Sequence, residues 1–261
     1  MSHPTLSMPP RGRSSRSILK TILIVLVIAL LVGALVFTVW AYTPLGPMPE
    51  TQAALTSDAT VTVEVSPWLT FSPAGAQPSA GFVFYPGGRV DPASYAPAAR
   101  ALAEKGYLAV IVPMPFNLAV FGANRADDVL AAHPEIARWA LGGHSLGGSM
   151  AAAYAGNHSD RVGGLVLWAS YPAGSNDLSA KALAVDSIYG TLDGVAKPDE
   201  VLAAGPLLPA ATRWIPIDGG NHAQFGWYGE QPGDNPAAIS REGQQAQAVA
   251  ATAQLLEMLG R

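Results

Sequence analysis

The sequence predicts an α/β protein: a mostly parallel sheet flanked by helices, preceded by one N-terminal transmembrane helix. Three observations carry this reading. Beyond residue 59, short apolar strand-like runs alternate with helical segments, the pattern of a parallel sheet with crossover helices. Between Lys20 and Glu50 there is no charged residue at all. The clusters of Gly, Ser, Asp and His fall directly after the strand-like runs, at the sheet edge where such folds place their ligands.

The first twenty residues carry Arg11, Arg13, Arg16 and Lys20 and no acid. They read as a basic tail, with residues 1–17 expected to be disordered because they hold Pro, Ser and Arg and little apolar content. Thr21 to Tyr42 (TILIVLVIALLVGALVFTVWAY) is the anchor. As a helix it would span about 33 Å, enough for a hydrocarbon core of roughly 30 Å. Trp40 and Tyr42 stand where an interfacial aromatic belt lies. The preceding bases predict a cytoplasmic N-terminus and a domain on the far side of the cell membrane. A cleaved signal peptide is the rival reading. An uncleaved anchor is favoured because the run exceeds a typical apolar region of roughly 7–15 residues, and Trp40 and Tyr42 leave no small-x-small site. Residues 43–58, with Pro44, Pro47 and Pro49, read as a stiff linker, and 59–261 as the folded domain.

The domain's elements follow in order. Ala59–Val65 alternates like a half-buried strand. Gly81–Tyr85 is a buried strand closed by Pro-Gly-Gly. Pro92–Lys105 reads as a helix with Ala and Leu on one face, and Tyr107–Pro113 as a second buried strand. A short helix over Ala126–Ala132 precedes a short strand, Arg138–Leu141, and a small-residue helix, Ser149–Gly156. Gly164–Trp168, Ala184–Tyr189 and Arg213–Ile217 are strands, the last an edge strand because it contains Pro216. Ile239–Leu259 is a closing amphipathic helix.

Gly143-His144-Ser145-Leu146-Gly147 fits G-x-S-x-G between a strand and a helix. That context makes it a nucleophile elbow, a strained turn that lifts the Ser145 hydroxyl off the sheet. Gly143 and Gly147 are required there because side chains two residues either side would collide. The alternative is a Gly-rich helix start with Ser145 as its cap.

A serine hydroxyl needs a base, and the base an orienting acid. Of the five His, His3 lies in the tail, His144 is the variable elbow position, and His133 and His158 lie near helix ends. His222 follows a strand and is the candidate base. Asp193, also just after a strand, is the candidate acid, ahead of Asp218 and of Asp186 within a strand. An oxyanion hole takes two backbone donors. Leu146, after the nucleophile, supplies one. Gly88 of Tyr85-Pro86-Gly87-Gly88-Arg89 is preferred for the other, with Gly87 as its competitor.

With these residues in hand, the chain resembles the α/β-hydrolase superfamily, and more narrowly its small fold-5, dienelactone-hydrolase-like group. The resemblance rests on YPGGRVDPASYAP (85–97), GGHSLGGSMAA (142–152), YGTLDG (189–194) and DGGNHAQFGWYGEQPGD (218–234) and covers about residues 60–259. It implies an α/β-hydrolase sheet, with Ser145 as nucleophile, Asp193 as acid and His222 as base. Pro86 departs from the pattern, standing where many relatives carry His. Only residues 169–183 separate two core strands where many relatives insert a helical cap. No large cap is expected, and the site should be open and shallow. Phe116, Phe121, Phe225 and Trp227 are candidates for its lining.

Composition narrows the field. The chain has no Cys, which removes disulfides, thiolate metal sites and a Cys nucleophile. Charged residues are only 13% and the net charge is −4, unlike a nucleic-acid binder. No metal or organic cofactor is implied. The expected function is a membrane-anchored serine esterase acting on a small-molecule carboxylic ester. Acyl transfer through the same triad, or a silent hydrolase-like binding module, are the alternatives.

Overall fold

The computed structural model describes residues 15–260. Most of the basic tail, including His3, Arg11 and Arg13, lies outside them.

The chain forms two units, dividing between Trp40 and Ala41. The first is helix α1, Ser15–Ala41 up to that division. Its apolar stretch, Ile18–Ala41, has 24 residues, about 36 Å at the helical rise. It is long and apolar enough to cross a membrane. Leu, Ile and Val all round the helix stand exposed.

The second unit is an eight-stranded sheet with helices on both faces. A short helix α2 (Thr51–Ala54) precedes β1 (Val61–Glu64), β2 (Leu69–Pro73) and β3 (Gly81–Tyr85). Helix α3 (Ala96–Ala103) leads to β4 (Leu108–Ile111), and α4 (Ala126–Ala132) to β5 (Trp139–His144). Next come α5 (Leu146–Asn157), β6 (Gly164–Trp168), β7 (Ala184–Gly190), α6 (Pro198–Ala203), β8 (Arg213–Ile217) and α7 (Arg241–Gly260). The strand order is β1-β2-β4-β3-β5-β6-β7-β8. Every pair from β4 to β8 is parallel; β1 with β2 and β2 with β4 are antiparallel.

The period of two along β3 explains the two cores. Phe82 and Phe84 enter one core with Leu102 of α3 and Val249 and Leu255 of α7. Val83 and Tyr85 enter the other with Val129 of α4 and Ala151 and Tyr154 of α5. Each such fully buried large side chain stabilises the fold by about 1.5–3 kcal/mol. A strand buried on both faces has no polar alternation, which is why GFVFY is one apolar run.

Several expectations change in detail. Strand β2 is unannounced by its sequence, LTFSP; it exists because it pairs with both β1 and β4. The helix expected over Pro92–Lys105 is a 3₁₀ turn, Pro92–Tyr95, followed by α3. Strand β5 runs on to His144, and α5 starts at Leu146 rather than Ser149. Pro216 does lie on an edge strand, β8. The stretch expected as a linker folds onto the second unit: Leu45 pairs with Val90, and Thr51 and Ala54 are buried. Residues 169–183, where a cap would stand, form neither helix nor strand.

Candidate active site

The strand β5 delivers Ser145 into the turn before α5. Ser145 has φ 52° and ψ −124° and makes no capping hydrogen bond, so the helix-cap alternative fails. A non-glycine residue in that region is strained and is held only by its surroundings. Those surroundings are tight. A Cβ on Gly143 would stand 2.5 Å from the Gly147 carbonyl carbon, and one on Gly147 would stand 2.1 Å from the Tyr85 carbonyl oxygen. Ser145 N–H donates to Trp168 O at 3.0 Å, and Ser170 Oγ donates to Ser145 O at 2.6 Å. The Ser145 side chain is left half-buried at the sheet's carboxyl edge.

Two loops bring Asp193 and His222 together. Asp193 lies in the turn after β7, and His222 in the turn after β8. His222 Nδ1 stands 2.8 Å from Asp193 Oδ2, with both side chains fully buried. An ionised carboxylate only accepts, so Nδ1 carries the proton and Nε2 presents a lone pair. That Nε2 is buried and has no hydrogen-bond partner. The other Asp193 oxygen accepts the N–H groups of Val195 at 2.8 Å and Ala196 at 2.7 Å. The rival acids are engaged elsewhere. Asp218 accepts Thr191 Oγ1 at 3.2 Å, and Asp186 accepts Arg213 Nε and Nη2 at 2.7 and 2.6 Å. The His222 ring lies 4.4 Å from the ring of His144, the residue before Ser145.

In the glycine loop after β3, the two candidate N–H groups are engaged differently. Gly87 N–H donates to Tyr95 Oη at 3.0 Å. Arg89 N–H donates to Asn117 O, and Val90 N–H to Gly87 O. Among the described residues the Gly88 N–H has no partner. A Cβ at Gly88 would stand 3.2 Å from Leu146 Cδ2, so the two are neighbours. Leu146, first residue of α5, has no intrahelical acceptor for its own N–H.

Three residues given no part by the sequence reading build this geometry. Asp234 accepts the N–H groups of Gly194 (3.0 Å), His222 (3.2 Å) and Ala223 (2.8 Å), tying the acid loop to the base loop. Tyr95 Oη is 2.9 Å from His144 Nδ1. Burial, with the neighbouring His222, pushes the His144 imidazole well below the usual histidine range. Gln244 is buried and bonds both the N–H and the carbonyl of Asn221, bracing the base loop. Of the expected lining, Phe225 is instead fully buried core, stacked 5.7 Å from His144. Trp227 is half-buried with Arg241 5.9 Å from its ring. His133 pairs with Glu135, and His158 stacks on Tyr154, both away from these loops.

A parallel sheet carrying a strained serine turn and a buried carboxylate–imidazole pair at its carboxyl edge defines the hydrolase class of α/β proteins. Residues 81–246 match the sequence profile of the Alpha/beta hydrolase family, and the chain belongs to that family. No curated protein matches it. Solved structures share the fold. One is described as a CIB-like hydrolase from Thermoplasma acidophilum (TM-score 0.57, 15% identity, 75% of this chain and 99% of that one). Another is assigned as a dienelactone hydrolase from Klebsiella pneumoniae (0.57, 16%, 76% and 97%). A third is the esterase domain of a Rhodothermus marinus protein (0.55, 12%, 73% and 92%). At these identities the likeness is one of fold.

Proposed function

We propose that this protein is a membrane-anchored serine hydrolase that cleaves carboxylic esters through Ser145, His222 and Asp193. The observation that carries the reading is the buried Asp193–His222 pair, its Nε2 unpartnered and its ring 4.4 Å from that of His144, the residue before Ser145. In the reaction, His222 Nε2 takes the Ser145 proton as Oγ attacks the ester carbonyl. Asp193 stabilises the imidazolium. The Gly88 and Leu146 N–H groups receive the oxyanion. The alcohol leaves with the proton from His222, and water, deprotonated by the same Nε2, releases the acid. No step calls for a cofactor.

The apolar helix Ile18–Ala41 is the anchor in this reading. The basic tail stays cytoplasmic, and residues 43–261 lie outside the cytoplasm.

Fluorophosphonate labelling of the full chain in detergent tests the nucleophile. Wild type should label and Ser145→Ala should not, with kcat on a soluble ester falling by about 10⁴ or more. Equal labelling of both, or none of a folded wild type, would overturn the assignment. A competing alcohol added to the assay separates hydrolysis from acyl transfer.

A further inference from the structure

The segment 113–124, between β4 and α4, holds no charged side chain and reads PMPFNLAVFGAN. Within it Val120 is 48% and Phe121 54% exposed. Phe116 stacks edge-on against Phe121 at 5.4 Å and lies 5.7 Å from the ring of Tyr42, itself 60% exposed. Phe116 and Asn117 both have positive φ, 56° and 52°, uncommon for residues other than glycine. The stretch that leaves the apolar helix lies against this loop and against Arg89. Asn117 Nδ2 donates to Ala41 O at 2.9 Å, and Arg89 Nη2 to Thr43 O at 2.6 Å. Leu45 N–H donates to Arg89 O, and Asp91 N–H to Leu45 O.

The same segment touches the candidate oxyanion site. Arg89 N–H donates to Asn117 O at 2.8 Å, and Leu118 Cδ2 lies 3.7 Å from where a Gly88 Cβ would stand. A continuous apolar strip therefore runs from Tyr42 through Phe116 and Phe121 to Leu118 beside Gly88. Tyr42 follows Ala41, the last residue of the span, by one residue of chain, about 3.8 Å.

We infer that the 115–121 loop is seated in the membrane interface and that the ester cleaved at Ser145 is an acyl ester carried in the lipid phase. The inference rests on the anchor and the triad proposed above. The bilayer is the occupant because the span ends at this loop, so its surface is within a residue of the strip. Aromatic rings with exposed apolar faces suit that depth. An acyl chain following the strip would reach Gly88 and Leu146 without first entering water.

The chain has no Cys, so one introduced thiol reports one place. Full-length Phe121→Cys, carrying an environment-sensitive fluorophore, is reconstituted in phosphatidylcholine vesicles. Asp160→Cys, exposed before β6 and so at the sheet's opposite edge, is the control. Lipid-borne nitroxide should quench the label at 121 and spare the one at 160; two equally unquenched labels would overturn the inference. The second readout is the ratio of rates on a vesicle-borne long-chain ester and a water-soluble acetate ester. Val120→Asp should lower that ratio about tenfold, the effect of losing one buried apolar side chain, and an unchanged ratio counts against the lip. Release of wild type by alkaline carbonate would overturn the anchor and this inference with it. Undiminished turnover in Ser145→Ala would overturn the triad and the substrate assignment, while quenching decides the loop's position separately.

Discussion

Tyr95 Oη stands 2.9 Å from His144 Nδ1, deep beneath the candidate active site. The same hydroxyl accepts the Gly87 N–H at 3.0 Å. The hydroxyl thereby holds the glycine loop through Gly87, the neighbour of Gly88.

Tyr95→Phe should therefore loosen the oxyanion loop. It strands a buried N–H, which costs about 1–3 kcal/mol. If the Gly88 donor is displaced, kcat should fall about tenfold or more with little change in KM, because the lost contact forms only in the transition state. Steady-state kinetics on a soluble ester measures this. An equal loss in KM alone would show that the loop binds ground-state substrate.

His144 makes stability sensitive to acid. Its folded pKa is depressed well below 6.5, chiefly by burial. Below pH 6.5 the unfolded chain binds a proton that the folded one refuses. Stability from this group is complete above 6.5 and declines below it by up to ~1.4 kcal/mol per pH unit. The apparent Tm of the full chain in detergent should drop between pH 7 and 5, and His144→Leu should flatten that decline.

Asp234 ties the Asp193 loop to the His222 loop. Removing its carboxylate in Asp234→Ala frees the N–H groups of Gly194, His222 and Ala223 together. We expect a loss of about 2–3 kcal/mol and slower fluorophosphonate labelling by about tenfold per folded molecule. Asp234→Asn keeps one acceptor oxygen and should recover part of both.

Asp186 serves as the contrast. Its carboxylate is buried, and burial raises its pKa while Arg213 opposes the rise. Arg213 is 36% exposed, so breaking the pair should cost less than the ~3–5 kcal/mol of a fully buried one, about 2–3 kcal/mol. Asp186→Ala should thus lower the Tm by several degrees yet label at the wild-type rate per folded molecule. A labelling loss as large as that of Asp193→Asn would return Asp186 to contention as the acid.

The sequence alone determined those features whose cause is local. A strand buried on both faces must be an apolar run, so GFVFY, YLAVIVP and GLVLW announced β3, β4 and β6. The turn at Ser145 admits no side chain at 143 or 147, so its glycines were legible. An uninterrupted apolar run of spanning length needs no tertiary context to be recognised. Tertiary structure alone decided what depends on pairing through space. Strand β2 exists because β1 and β4 flank it. The meeting of Asp193 with His222, carried on two separate loops, is such a contact. The linker became part of the second unit because Leu45 found Val90. Tyr95 and His144 lie 49 residues apart, and Asp234 reaches back 40 residues to Gly194. Periodicity and turn chemistry carry no trace of such contacts, because a hydrogen bond between distant loops depends on the sheet register that brings their ends together.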